Sequence, residues 1–441
     1  MKPILFQKAR LIDPDLKMDM RGDLLVENGV VSALGPELLP TADAEKIDCG
    51  GAVLAPGLVD LHVHFRDPGQ TEKETLETGC AAAANGGFTA VVTMANTKPA
   101  VDSPELIRSC IKRNRTMDCR IYPGGAVTKG LGGKELTDFE ALKEAGAVCL
   151  TDDGITVGSG PLFYEAMEKA AAVGLPVSVH CEAPGFEGDR SMNRGEISKK
   201  LGLAGAPALA EELMIMRDVF FAEKTGAHVH VQHVSSRRGV EIIAAAKARG
   251  VAVTGEATPH HMFLDETAIL ECGANAKMSP PLRTADDAAA IREALMSGVL
   301  DVVATDHAPH TPAEKALGIA KAPNGIIGLE TSLGLCLDGL CRERGFSLSS
   351  LVERMSSAPR RIFKLPPVHL QPGSPADLTL FDPERRWRVD AAKFKSKARN
   401  CPFNGWTLSG TVLMTVLGGR IVCDRRTFRA IGCIKRSVAI Q

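Results

Sequence analysis

The sequence predicts an α/β protein: a (β/α)₈ barrel of the TIM type with a small β-sandwich domain built from both chain ends. Three observations carry that expectation. Eight short β-rich runs recur along the middle of the 441-residue chain, each followed by an Ala/Glu/Lys-rich stretch of helical character. Histidines and aspartates collect at the C-terminal ends of those runs, the face on which such barrels place their active sites. Both termini carry short alternating strands with Gly and Asp turns, and neither is long enough to bury a good core alone. The expected division is 1–55 and 366–441 for the two parts of the sandwich domain, the second with a tail, and 56–365 for the barrel.

In chain order, the N-terminal part holds "ILFQKARLID", "GDLLVENGVVSALG" and "GAVLAPG". The first four barrel runs are "GLVDLHVHF" (57–65), "TAVVTMAN" (89–96), "RIYPGGAV" (120–127) and "AVCLTDD" (147–153). The other four are "LPVSVHC" (175–181), "AHVHVQHV" (227–234), "VAVTGEA" (251–257) and "LDVVATDHA" (300–308). Between them lie "DSPELIRSCIKRN", "PLFYEAMEKAAAVG", "RRGVEIIAAAKARG" and "DDAAAIREALMSG", several opening on Asp or Pro and closing on Gly, as helices do. The C-terminal part supplies "ADLTLFD" and "GTVLMTVLGGRIV", while the last stretch, "RRTFRAIGCIKRSVAIQ", fits neither pattern.

Composition excludes several classes. A formal net charge of −1 gives no global basic field for nucleic acid or a membrane surface. No uncharged apolar run approaches the roughly 18 residues of a membrane helix. The twelve cysteines are scattered without a CxxC, and the start lacks the apolar core of a signal peptide. Reduced thiols in a cytoplasmic protein are expected.

The chemistry begins at "HVH". Residues i and i+2 of a strand face the same way, so His62 and His64 look out together from the end of the first run. Asp153 ends the fourth run, His180 the fifth, His233 the sixth and Asp306 the eighth. Four imidazoles and two carboxylates on one rim suit a pair of zinc-like divalent ions with a carboxylate bridging them. His228 and His230 have the opposite parity to His233 and are expected to face away. Asp152 is expected to satisfy backbone N–H groups in a turn.

"HVHFRDPG", "MANTKP", "TDDG", "VHCE", "TPHH", "PPLR" and "ATDHAPH" occur in this order. With them the chain resembles the class I dihydroorotases of the amidohydrolase superfamily over nearly its whole length. The resemblance implies reversible interconversion of L-dihydroorotate and N-carbamoyl-L-aspartate in pyrimidine biosynthesis, with one or two divalent ions, zinc, per chain. It implies that His62, His64 and Asp306 hold one ion, that His180 and His233 hold the other, and that Asp153 bridges. Asp306 is then the general acid/base. Arg66 offers a planar fork for the substrate carboxylate, and the resemblance adds Asn96 and His310 to that pocket. It gives His260 and His261 no ligand role, and packing or hydrogen bonding is expected of them.

Two departures mark the pocket wall: Ser279 stands where the family commonly has Asn, and Asn324–Gly325 where it has Phe–Gly. "SPPLR" also leans toward hydantoinases and dihydropyrimidinases, the alternative cyclic amidohydrolases. Those enzymes usually bridge their metals with a carboxylated lysine at the end of strand 4, and here no lysine lies between Lys143 and Lys169. An alternative of another class is an inactive scaffold subunit for aspartate transcarbamoylase, although all six ligand positions are present. A homodimer and association with aspartate transcarbamoylase are left open by the sequence.

Overall fold

The computed structural model describes residues 2–39, 43–186 and 188–426. The tail from 427 onward lies outside the described residues.

Strand Leu58–Val63 is buried at every position, as is Phe88–Thr93. Continuous burial is what a parallel sheet covered on both faces requires. These two strands pair in parallel, and Arg120–Pro123 joins them. A second parallel group runs Val177–Val179, Val229–Val231, Val253–Ala257 and Val302–Val303. Leu150 joins the groups by bridging Gly125 and Val177, and a bridge from Val63 to His307 closes the ring.

The fourth expected strand is thus a single bridging residue. Asp152 explains why: its carboxylate accepts the backbone N–H groups of Val127 (2.8 Å) and Thr128 (3.1 Å), with the Thr128 hydroxyl as a third donor. The chain turns there onto a side chain instead of continuing along a neighbouring strand. The other ladders are also shorter than the sequence runs, because the last residues of each run leave the sheet to form the rim.

The helices follow their sequence signals. Ala285–Ser297 opens on a Thr284–Asp287 capping box, buries Ala288, Ile291, Ala294 and Leu295, and stops at Gly298 with φ +87°. Among the described residues no helix is long and apolar enough to cross a membrane.

The chain ends meet in one eight-stranded hydrogen-bonded sheet. Val53–Pro56 lies between Ile4–Asp13, to which it is parallel, and Leu378–Arg388, to which it is antiparallel. The sandwich expected from the sequence takes the form of this single sheet. Its apolar face gathers Phe6, Leu24, Ile47, Leu54, Leu380 and Met414 into one cluster. Arg120, from the third barrel strand, clamps the sheet with two hydrogen bonds to Asp377 (2.8 and 3.0 Å).

Candidate active site

The six rim residues converge. His62 Nε2 lies 3.4 Å from both Asp153 Oδ1 and Asp306 Oδ1. His64 Nε2 is 3.0 Å from Asp306 Oδ1 and 3.3 Å from Asp153 Oδ2. His180 Nδ1 and His233 Nε2 are 2.9 Å apart, with Asp153 Oδ1 at 3.8 and 3.9 Å. Three donor sets have their ligand atoms within 4.8 Å: His62–His64–Asp153, His62–His233–Asp306 and Asp153–His180–His233. Asp153 belongs to the sets on both sides.

The backbone is bent to achieve this. Arg66, His233 and Asp306 sit at φ +58°, +32° and +45°, the left-handed region that side-chain-bearing residues seldom occupy. Such conformations persist where surrounding structure over-determines them. Asp60 is one such determinant, because its carboxylate accepts the N–H groups of His62 (3.1 Å) and Thr305 (3.0 Å) and the Thr305 hydroxyl (2.5 Å). It thereby fastens the first strand to the segment that carries Asp306. Burial pushes Asp60 up to about 7 against the pull of these bonds.

A second layer of acceptors orients the imidazoles. His62 Nδ1 meets Glu256 Oε2 at 3.0 Å, His64 Nδ1 meets Asn96 Oδ1 at 2.9 Å, and His180 Nε2 lies 3.5 Å from Glu182. Burial opposes ionisation of Asp153, Asp306 and Glu256, yet the surrounding histidines outweigh it and hold all three below the usual carboxylate range. Burial likewise opposes a charge on His62, but Asp306, Glu256 and Asp153 raise it well above its ordinary value. Three buried carboxylates around one imidazole form a site that needs positive charge. His62 Nε2, buried and without a hydrogen-bond partner, faces two of them. The donor set therefore fits a divalent cation, with a nitrogen and oxygen composition suited to zinc.

Above the cluster opens a cavity of about 230 Å³, lined in part by Arg66, Asn96, Ser279, His310 and Asn324. Arg66 is half-buried, and its Nη2 lies 3.5 Å from His310 Nε2. Among the described residues no carboxylate is within ion-pair reach of it, and Asp67 pairs with Arg113 instead, at 2.8 Å. His310 donates from Nε2 to Asn324 O (2.8 Å), while burial and then Arg66 lower it to about 3. It therefore stays neutral near pH 7. The Asn96 amide is engaged on both sides, since its Nδ2 donates to Asp153 Oδ2 at 3.1 Å. Gly325 is not among the lining residues; a Cβ there would meet Ala308 O at 2.4 Å and the His310 ring at 2.7 Å, so its role is close packing.

The parity expected of the sixth strand fails at one point. The regular ladder stops at Val231, and His233 lies beyond it with φ +32°. His230 consequently does not face away from the site: its Nε2 reaches Glu256 Oε1 at 3.1 Å. It joins no donor set, and neither does His228, which bonds Thr254. His261 bonds Thr258 and Pro280, with the His260 ring tilted beside it at 4.5 Å between ring centroids. Sequence reasoning missed Glu256 and Asp60. The available signal was an acid embedded in each otherwise apolar strand run. It also missed Arg190, a cavity-lining residue paired with Glu182 at 2.7 Å, whose loop sequence carries no such signal.

A closed ring of parallel segments with a His/Asp cluster at the C-terminal strand ends defines the amidohydrolase class. A family model described as dihydro-orotase-like matches residues 51–239. The dihydroorotase of Syntrophotalea carbinolica is 46% identical over 419 residues, covering 95% of this chain and 98% of that protein. The dihydroorotase of Clostridioides difficile is 44% identical, covering 95% and 99%. The chain belongs to the dihydroorotase family. Among solved structures, the L-hydantoinase (dihydropyrimidinase) of Arthrobacter aurescens superposes with a TM-score of 0.87 at 27% identity, covering 96% of each chain. A dihydropyrimidinase from Brevibacillus agri, at 24% identity and TM-score 0.83, shares the fold.

Proposed function

We infer that this protein is a dihydroorotase, a cyclic amidohydrolase that interconverts L-dihydroorotate and N-carbamoyl-L-aspartate. The observation that carries the reading beyond family membership is Arg66, a guanidinium beside the His/Asp cluster with no carboxylate partner among the described residues. In our reading His62, His64 and Asp306 would hold one divalent ion and His180 and His233 a second, with Asp153 within reach of both and zinc as the metal. Such ions supply Lewis acidity and lower the pKa of water. Asp306 takes the proton of the attacking water and returns it to the ring nitrogen as the carbon–nitrogen bond breaks. Arg66 grips the substrate carboxylate through charge-assisted hydrogen bonds. Asn96 and His310 line the same pocket beside that grip, Ser279 and Asn324 shape the wall around the ring, and Gly325 supports it by packing closely against Ala308 and His310. Ring opening creates a second carboxylate and releases a proton, so falling pH favours the ring.

Hydantoinase activity is the second reading, favoured by the structural neighbours. The strand-4 position argues against it. Asp153 occupies it, Lys143 bonds Val173 O on the surface and Lys169 pairs with Glu165, so neither lysine bridges the cluster. We extend the main reading to a cytoplasmic role in pyrimidine biosynthesis. Residues 56–365 then form the catalytic barrel, with 1–55 and 366–441 as its supporting domain. A homodimer and a complex with aspartate transcarbamoylase are the assemblies this reading proposes, and size-exclusion chromatography with and without the transcarbamoylase tests them.

The deciding experiment compares dihydroorotate with dihydrouracil, the same ring without the carboxylate, on wild type and Arg66→Met. Loss of a charge-assisted bond worth about 1.5–3 kcal/mol lowers kcat/KM for dihydroorotate roughly ten- to a hundred-fold and leaves dihydrouracil turnover unchanged. Equal losses on both rings, or none, assign Arg66 a structural role. A wild type that prefers dihydrouracil or hydantoin transfers the protein to the hydantoinase branch.

A further inference from the structure

Glu256 has no place in the donor sets, yet it touches residues from both ends of the cluster. Its Oε2 meets His62 Nδ1 at 3.0 Å and accepts the backbone N–H of His233 at 2.9 Å. Its Oε1 meets His230 Nε2 at 3.1 Å. Behind it the contacts continue: His230 Nδ1 to Thr254 Oγ1 at 2.7 Å, and Thr254 Oγ1 to His228 Nε2 at 2.8 Å. Glu256, Thr254 and His230 are buried or nearly so, and each contact is of hydrogen-bonding length.

With His230 neutral, a single proton arrangement satisfies this ladder. An ionised carboxylate only accepts, so His62 donates from Nδ1 and His230 from Nε2. Neutral His230 then accepts at Nδ1 from the Thr254 hydroxyl, whose oxygen accepts from His228 Nε2–H. The consequence falls on His62: with Nδ1–H held by Glu256, Nε2 is the nitrogen that gives up its proton and offers a lone pair toward Asp153 and Asp306 when a cation takes over the charge that those carboxylates call for. The His233 contact fixes the other half of the cluster, where the backbone leaves the strand.

We propose that Glu256 is the positioning residue of the metal cluster, and that the His230–Thr254–His228 ladder fixes it from within the barrel. It sets the tautomer of His62 and ties the first-strand ligands to His233. This rests on the reading of the rim as a metal site. Glutamine is a pointed substitution, because it replaces one acceptor oxygen with a donor NH₂. If that NH₂ faces His230, two donors collide and the ladder reverses. If it faces His62, the proton moves to Nε2 and blocks the metal-facing lone pair.

The test strips the purified full-length protein of metal and titrates it with Zn²⁺ alone, by competition with a chromophoric chelator. Glu256→Gln is expected to bind Zn²⁺ ten- to a hundred-fold more weakly than wild type, the usual effect of losing such a partner. Its metal-free melting temperature should stay near that of wild type, and its Co²⁺ absorption spectrum should differ. Thr254→Val should weaken Zn²⁺ binding several-fold, with Thr254→Ser restoring it. Equal Zn²⁺ affinity in wild type and Glu256→Gln overturns the inference alone. If Glu256→Gln does not fold, the valine and serine pair decides: weakening with restoration supports the inference, and unchanged affinity overturns it. A wild type that binds no divalent ion overturns the metal reading, and this inference with it.

Discussion

Asp306 makes contacts that a near-isosteric amide would partly preserve: it is buried, 3.0 Å from His64 Nε2 and 3.4 Å from His62 Nε2. Asp306→Asn should therefore fold but lose the group that carries the proton. Turnover of dihydroorotate is expected to fall about 10²–10⁴-fold, read from initial rates. Near-wild-type turnover would assign the proton transfer elsewhere. At this scale the sequence was informative wherever a chemistry-bearing residue closed an apolar run, which is how His62, His64, Asp153, His180, His233 and Asp306 were named together. It was silent on the residues that orient them. Glu256 and Asp60 sit inside strands, where an acid is easily read as an interruption. His230 stays outside the donor sets as expected but does not face away, because parity extends only as far as the regular ladder and His233 lies past its end.

Elements are held to one another by buried carboxylates, and Glu330 is the clearest case. It accepts the backbone N–H groups of Lys395 (2.9 Å) and Ser396 (3.2 Å), with the Asn85 amide as a further donor, and so pins the 394–396 segment against the end of helix Leu76–Asn85. Burial raises it to about 7, against the pull of these donors. An unfolded glutamate titrates near 4.3. Between about 4.3 and 7 the folded chain therefore holds the extra proton, so this group's contribution to stability falls as pH rises through that window. Glu330→Gln removes that dependence. Denaturant unfolding of wild type and variant at pH 5 and pH 8 should show wild type losing roughly 3 kcal/mol relative to the glutamine protein. Parallel behaviour at both pH values would place the titration elsewhere. The fourth barrel strand belongs to this scale too. "AVCLTDD" has the composition of a strand, and only the structure reveals that the Asp152 side chain captures the backbone of Val127 and Thr128, where a longer ladder would continue.

Across the whole molecule, many polar contacts join the barrel and the terminal sheet, among them Thr379 with Gly87 O and Thr415 with Ala84 O, and Asp377 makes several of them. It receives Arg120 twice and the Gly418 N–H at 2.6 Å. Asp377→Ala leaves these donors without their acceptor, and a loss of about 1–3 kcal/mol is expected from urea unfolding. Its kcat should be unchanged, because the contact lies at the barrel's junction with the sheet and not in the cavity. A lowered kcat would couple that junction to the site. Metal removal acts on the same scale: a cation that binds only the folded chain stabilises it by mass action. Chelation should lower both activity and melting temperature, with Zn²⁺ restoring both, and an active chelated protein with an unchanged melting temperature would contradict the metal reading.

The pairing of Leu54 with Leu380 bears on how the chain is made. Val53–Pro56 lies inside the finished sheet, but during synthesis its second neighbour emerges only after the whole barrel has left the ribosome. Through that interval the strand presents an unpaired edge, and the apolar face that ends beside Leu380 and Met414 lacks its last members. A ribosome stalled just after residue 365 has cleared its exit tunnel would thus hold a barrel with an adhesive border. The nascent chain must be shielded there until its own C-terminal strands arrive.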